Sequence, residues 1–96
     1  MDINKLLNDY NKKITILVEQ RNSKKKFTII IGLPIDLDLD KILTYLKKTF
    51  SCNGFITDDE INGKIITLNG EHKDNIYNFI IENNIGTRDN IIIKGI

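Results

Sequence analysis

The chain has 96 residues, one cysteine and a formal net charge of +1. That length makes one domain, able to bury roughly 60–65% of its unfolded surface in a single core. A lone cysteine excludes an internal disulfide and fits a reducing compartment. The near-neutral total excludes any argument for nucleic-acid binding from bulk charge, so the distribution of charge has to be read instead.

The sequence opens Met1-Asp2-Ile3-Asn4-Lys5, without the apolar stretch of a signal peptide. Its longest apolar runs, such as Ile29–Ile31 and Ile91–Ile93, are far too short to span a membrane. The expectation is a soluble, intracellular protein. Richness in Ile, Asn and Lys, with neither Ala nor Trp, fits the AT-rich genome of a protist or a large DNA virus.

Residues 1–11 are polar and read as a short mobile tail, with Ile3, Leu6, Leu7 and Tyr10 spaced for one or two helical turns. The domain is expected over 12–96. Ile14, Ile16 and Val18 alternate with Thr15, Leu17 and Glu19, which predicts a strand; Phe27–Ile31 alternates likewise and predicts a second. Between them Arg21, Asn22, Ser23, Lys24, Lys25 and Lys26 carry four positive charges and no acid. Two strands so joined form a hairpin with its charge gathered at the tip.

Gly32-Leu33-Pro34 ends the second strand. Asp38 is placed to cap a helix, and Asp40 in its first turn favours the helix dipole. Leu39, Ile42, Leu43, Leu46 and Phe50 recur at the spacing of one buried face. Lys41, Thr44, Tyr45 and Lys48 fall on the opposite face, with Lys47 flanking the apolar stripe. Asn53-Gly54 is the predicted helix stop. Phe55–Thr57 and Lys64–Leu68 predict two more strands, joined by an Asn62-Gly63 turn with Asp58, Asp59 and Glu60 on its near side. A second helix is expected from about Glu71 to Asn83, with Ile76, Tyr77, Phe79 and Ile80 packing inward and Gly86 marking its end; Ile91–Ile93 is the last strand. The order β-β-α-β-β-α-β predicts an α+β two-layer sandwich, a mixed five-stranded sheet with two helices on one face.

The chemistry argues against an enzyme. One His and one Cys are not placed to meet, and no phosphate loop, dinucleotide motif or nucleophile elbow is present. Cys52 lacks a second thiol at metal-ligand spacing and reads as a small buried residue; His72 reads as a solvated surface residue opening the second helix. Asp58 and Asp59 read as a solvated turn rather than a metal site. No metal or cofactor is expected. The Arg21–Lys26 tip admits two readings. It is a solvated device that blunts a sheet edge, or it is a finger that contacts phosphate, with Arg21 able to make a forked contact. Few aromatics look free to stack on bases, which favours shape and phosphate contact to structured RNA over single-strand stacking.

The same residues carry a family likeness. Gln20–Lys25, Gly32-Leu33 and the Asp36–Lys48 segment resemble the basic hairpin and first helix of the eukaryotic translation initiation factor 1 family. Phe50-Ser51-Cys52-Asn53-Gly54 is similar to its Phe-Ala-Cys-Asn-Gly signature. Leu68-Asn69-Gly70-Glu71, Lys73, Asn75-Ile76 and Lys94-Gly95-Ile96 match its Leu-Gln-Gly-Asp, Arg, Asn-Ile and His-Gly-Phe elements. The chain departs at Ser23, where the family has Gly, at Leu39, Asp40, Thr44 and Thr49, where relatives carry lysine, and at Ile96, where they carry an aromatic.

The resemblance implies a cytoplasmic monomer (in the host cytoplasm for a viral source) that binds the small ribosomal subunit beside the P site and enforces start-codon selection. Carried over residue by residue, it implies rRNA contacts by Arg21, Asn22, Lys24, Lys25, Lys41, Lys47 and Lys48. It implies an initiator-tRNA-facing loop of Asp58, Asp59, Glu60, Asn62 and Gly63 that hinders tRNA seating until correct pairing, and contacts with other initiation factors but no membrane. Two rival readings stand beside it. One is a recycling or reinitiation factor, in which the domain is joined to others. The other is a small α+β module that binds a protein or metabolite and has no ribosome role.

Overall fold

The computed structural model describes residues 13–95; the expected tail over 1–11 lies outside them. The described chain runs β1 (Ile14–Asn22), β2 (Lys25–Ile31), α1 (Leu39–Thr49), β3 (Gly54–Asp59), β4 (Gly63–Asn69), α2 (Lys73–Glu82), a 3-10 turn (Arg88–Asn90) and β5 (Ile91–Gly95). The strands form one sheet in the order β3-β4-β2-β1-β5. All neighbours are antiparallel except β1 and β5, which are parallel, so the sheet is mixed as the element order implied.

One face of the sheet meets both helices. Ile14 and Ile16 of β1, Ile30 of β2 and Ile66 and Leu68 of β4 are buried there, against Leu39 and Leu46 of α1 and Ile76 and Ile80 of α2, and Val18 of β1 is buried as well. Ile42, Leu43 and Phe50 share the predicted stripe but are half-buried, packed on the margin of that core. Lys41 and Lys48 are exposed, as the helical period requires. The sheet's other face carries half-buried Leu17, Ile29 and Ile65.

The local punctuation of the elements departs in detail from the sequence reading. The first helix does not stop on Asn53-Gly54: Ser51 takes the left-handed conformation (φ 51°), and Cys52 N–H returns to the carbonyl of Lys47 at 3.0 Å. Gly54 instead allows close approach, since a β-carbon there would lie 2.7 Å from Leu68 Cδ2 and 2.7 Å from the Thr67 carbonyl oxygen. The second helix ends on Asn84 (φ 56°) rather than Gly86, with Ile85 N–H bonded to the carbonyl of Ile80 at 3.0 Å. Finally, the hairpin expected at Asn62-Gly63 is present, and its loop has a definite length. Asp59 pairs with Gly63 around a loop of Glu60, Ile61 and Asn62, and Gly63 (φ 74°) takes the left-handed position that closes a three-residue hairpin loop.

Candidate nucleic-acid interface

The β1–β2 hairpin is closed by its own side chain. Asn22 Oδ1 accepts from the N–H groups of both Lys24 and Lys25, each at 2.9 Å, which fixes a tight Ser23–Lys24 turn. The register slips between Gln20 and Asn22, so Arg21 is the extra residue of a bulge. Past Lys26, whose carbonyl accepts from Gly70 N–H at 2.8 Å, the hairpin leaves its neighbours and stands clear by roughly 7 Å. Arg21, Asn22, Lys24, Lys25 and Lys26 are all exposed.

Arg21 differs from the lysines. Its Nε donates to Glu19 Oε1 at 3.1 Å, and its guanidinium carbon lies 4.3 Å from the centre of the Phe27 ring. Glu19 and Phe27 are cross-strand partners, so the bulge turns Arg21 back along the sheet rather than out to the tip. The contact restrains a flexible side chain while its remaining N–H groups face solvent.

The end of α1 reaches the same end of the sheet. Phe50 stacks on the His72 ring at 5.6 Å, His72 N–H donates to Thr28 Oγ1 at 2.8 Å, and Asn69 N–H donates to the Asn53 carbonyl at 2.8 Å. Lys47 and Lys48, in the last turn of α1, therefore lie on the hairpin's side of the molecule. Lys41 does not join them. It sits in the first turn, roughly 10 Å back along the helix axis, beside Asp38 and Asp40.

His72 is a structural residue, not a solvated one. It occupies the N-terminal cap position of α2, its ring is half-buried against Phe50, and its Nε2 lies 2.9 Å from the Asn69 carbonyl. Cys52 is half-buried, and burial pushes its thiol pKa up although the Lys47 ammonium opposes this; such a thiol is a poor nucleophile. Among the described residues no group of three or more His, Cys, Asp or Glu could hold a metal, and no helix is long and apolar enough to cross a membrane.

The second hairpin points the other way. β2 and β4 are antiparallel, with Phe27 opposite Asn69, so the β3–β4 loop lies at the far end of the strands from the basic tip. Asp58 and Glu60 are exposed there; Asp59 is half-buried, and its Oδ2 accepts from Asn62 N–H at 2.8 Å. The segregated signs of the sequence thus become opposite ends of one sheet. Sequence reasoning passed over Ile61, 91% exposed at the tip of this loop, and Ile35, 95% exposed in the β2–α1 connection. The signal available was an isolated Ile set within an acidic turn.

Comparison with known proteins agrees with this fold. The profile of the family described as "Translation initiation factor SUI1" matches residues 10–86. A "Protein translation factor SUI1 homolog" of Salix bakko is 38% identical over 82 residues, covering 85% of this chain and 73% of its own length. "Protein translation factor SUI1 homolog 2" of Arabidopsis thaliana shows the same identity and coverage, and a homolog of Spuriopimpinella brachycarpa is 40% identical over 78 residues, covering 81% and 69%. In shape, the chain is similar to the crystal structure of the C-terminal domain of human eIF2D, with a TM-score of 0.71 at 18% identity over 84% of this chain. The match covers 42% of that crystallised chain, and the likeness concerns the fold alone. With a profile matched over most of its length and relatives of this identity, the chain belongs to the translation initiation factor SUI1 family, whose members are translation factors and not enzymes.

Proposed function

We propose that this factor acts in the cytoplasm on the small ribosomal subunit, near the P site. The basic hairpin tip and the end of α1 hold rRNA, and the acidic β3–β4 loop faces initiator tRNA. Full tRNA seating is hindered until correct codon–anticodon pairing offsets the hindrance. The observation that carries this reading is the placement of the two charged loops at opposite ends of the strands. A phosphate-binding end and a phosphate-repelling end let one small domain grip RNA on one side and hold off a second RNA on the other.

Arg21, Asn22, Lys24, Lys25, Lys47 and Lys48 form the proposed rRNA footprint, and Lys41 extends it along α1. Sedimentation with purified small subunits tests it. Each lost phosphate contact flattens the slope of log K against log salt by about 0.7–0.9. Changing Arg21, Lys24 and Lys25 together to Ala is expected to weaken subunit binding and flatten that slope, with thermal stability little changed. Lys41→Ala is expected to do less than either Lys24→Ala or Lys25→Ala. Undiminished binding by the triple variant returns the tip to a solvated, edge-protecting role.

A further inference from the structure

An apolar cleft of about 270 Å³ opens at the acidic end of the molecule, between the β2–α1 connection and the β3–β4 loop. Its floor is Leu33 and Leu39, both buried, with Leu37 half-buried beside them; Asn62, Gly63 and Lys64 form the opposite wall. Ile35 stands on its rim at 95% exposure, and Ile61 projects from the neighbouring loop at 91%. A single exposed isoleucine needs no explanation. Two almost fully exposed ones beside one apolar cleft make an adhesive surface.

The surroundings define what fits. Asp36 and Asp38 alternate with the lining residues Ile35, Leu37 and Leu39, and Asp40 follows in the first turn of α1. Asp58, Asp59 and Glu60 belong to the hairpin that supplies the other wall, with Asp58 opposite Lys64 in register. The segments that form the cleft thus carry six carboxylates against two lysines, Lys41 and the wall residue Lys64, which is the one charged side chain among the lining residues. Two are engaged locally, Asp38 capping α1 and Asp59 bracing its loop. Among the described residues, none of the six makes an ion pair.

We propose that this cleft docks a basic, amphipathic segment of another protein, one apolar side chain entering between Ile35 and Ile61 while flanking Lys or Arg meet the carboxylate rim. The cleft is smaller than the roughly 300–1,000 Å³ typical of small-molecule pockets, which suits a single anchoring side chain better than a metabolite. The rim's sign disfavours a polyanion and favours a cationic partner. This inference does not rest on the ribosome reading: it shares the β3–β4 loop with the proposed tRNA-facing side, whereas the proposed rRNA footprint, which sedimentation tests, lies at the other end of the strands.

The test uses the full, isotope-labelled chain and a synthetic twelve-residue peptide in which Leu and Phe alternate with Lys and Arg. Amide shifts are expected to concentrate at residues 33–39 and 58–64, and affinity to fall as salt rises. Ile35→Ser and, separately, Asp36→Asn with Glu60→Gln are each expected to cost about tenfold in affinity. Ile35 is solvent-exposed, so the folded state should survive its change, and an unaltered amide spectrum elsewhere checks this. The proposal is overturned if the peptide leaves those amides unmoved. It is equally overturned if an all-lysine peptide binds as well as the amphipathic one, if a twelve-nucleotide RNA competes for the same amides, or if the shifts follow protein concentration alone, which would assign the cleft to a second copy of this chain. Intact small-subunit sedimentation alongside a failed peptide titration would sink this inference and leave the proposed function standing.

Discussion

The hydroxyl of Thr28 supplies what α2 lacks at its start. His72 offers no side-chain cap, and Thr28 Oγ1 accepts the His72 N–H at 2.8 Å while donating to the Gly70 carbonyl at 2.8 Å. Thr28 is completely buried, so both partners are satisfied away from water. Replacing it with isosteric Val leaves two backbone groups without a partner. Thr28→Val is expected to cost on the order of 1–3 kcal/mol, read as a lower urea midpoint at unchanged slope. This arrangement was not legible in the sequence. Phe27, Ile29 and Ile31 outrank Thr28 and Ile30 in hydrophobicity, yet the core takes the weaker pair, and the Thr28 hydroxyl meets the turn into α2. His72 reads as a solvated residue in the sequence because its role is set by Thr28 and Phe50, both distant in the chain, together with its near neighbour Asn69. Ser23 shows the converse. Where the family carries Gly the structure asks for no left-handed backbone, positive φ outside glycine being confined among the described residues to Ser51 and Asn84, so Ser is accommodated.

At the scale of elements, the period-two and 3.6-residue patterns found every described strand and both helices, because each element has one face that must meet the core. Their ends were less legible. Asn53-Gly54 and Gly86 look like stops, but the left-handed positions fall on Ser51 and Asn84, and Gly54 is required by its closeness to Leu68 and Thr67, a tertiary fact. The candidate interface was readable as a charge run, whereas its geometry depends on the Arg21 bulge and the Asn22 turn. That separation of charge from geometry makes a prediction. Asn22→Ala removes two hydrogen bonds that shape the tip and leaves every charge in place. Small-subunit binding by this variant is expected to weaken several-fold while its salt slope stays at the parent value, unlike the charge-deleted variant, whose slope falls. A slope that fell with Asn22→Ala would show that the turn does not act by positioning alone.

At the scale of the whole molecule, the two hairpin turns lie roughly 27 Å apart along the sheet, on the order of three Debye lengths at physiological salt. Each end's field is screened from the other, so the two are separable by mutation. Asp59 braces its own loop, and a clean test spares it. Asp58→Lys with Glu60→Lys is expected to preserve small-subunit binding and raise the ratio of UUG to AUG initiation in a reconstituted system. A ratio held at the parent value would leave only the steric part of the proposed gate. The parallel pairing of Ile14–Val18 with Ile91–Gly95 has a separate consequence, for how the chain comes to be folded. Antiparallel neighbours in this sheet form from segments close in sequence or after one helix, but β1 keeps an open edge until residues near the opposite end of the sequence are available. On a translating ribosome β1, β2, β3 and β4 emerge first, and the partner of β1 emerges last. The nascent factor therefore carries an unpaired, β-branched strand edge throughout most of its own synthesis, the interval in which it is most open to misassociation.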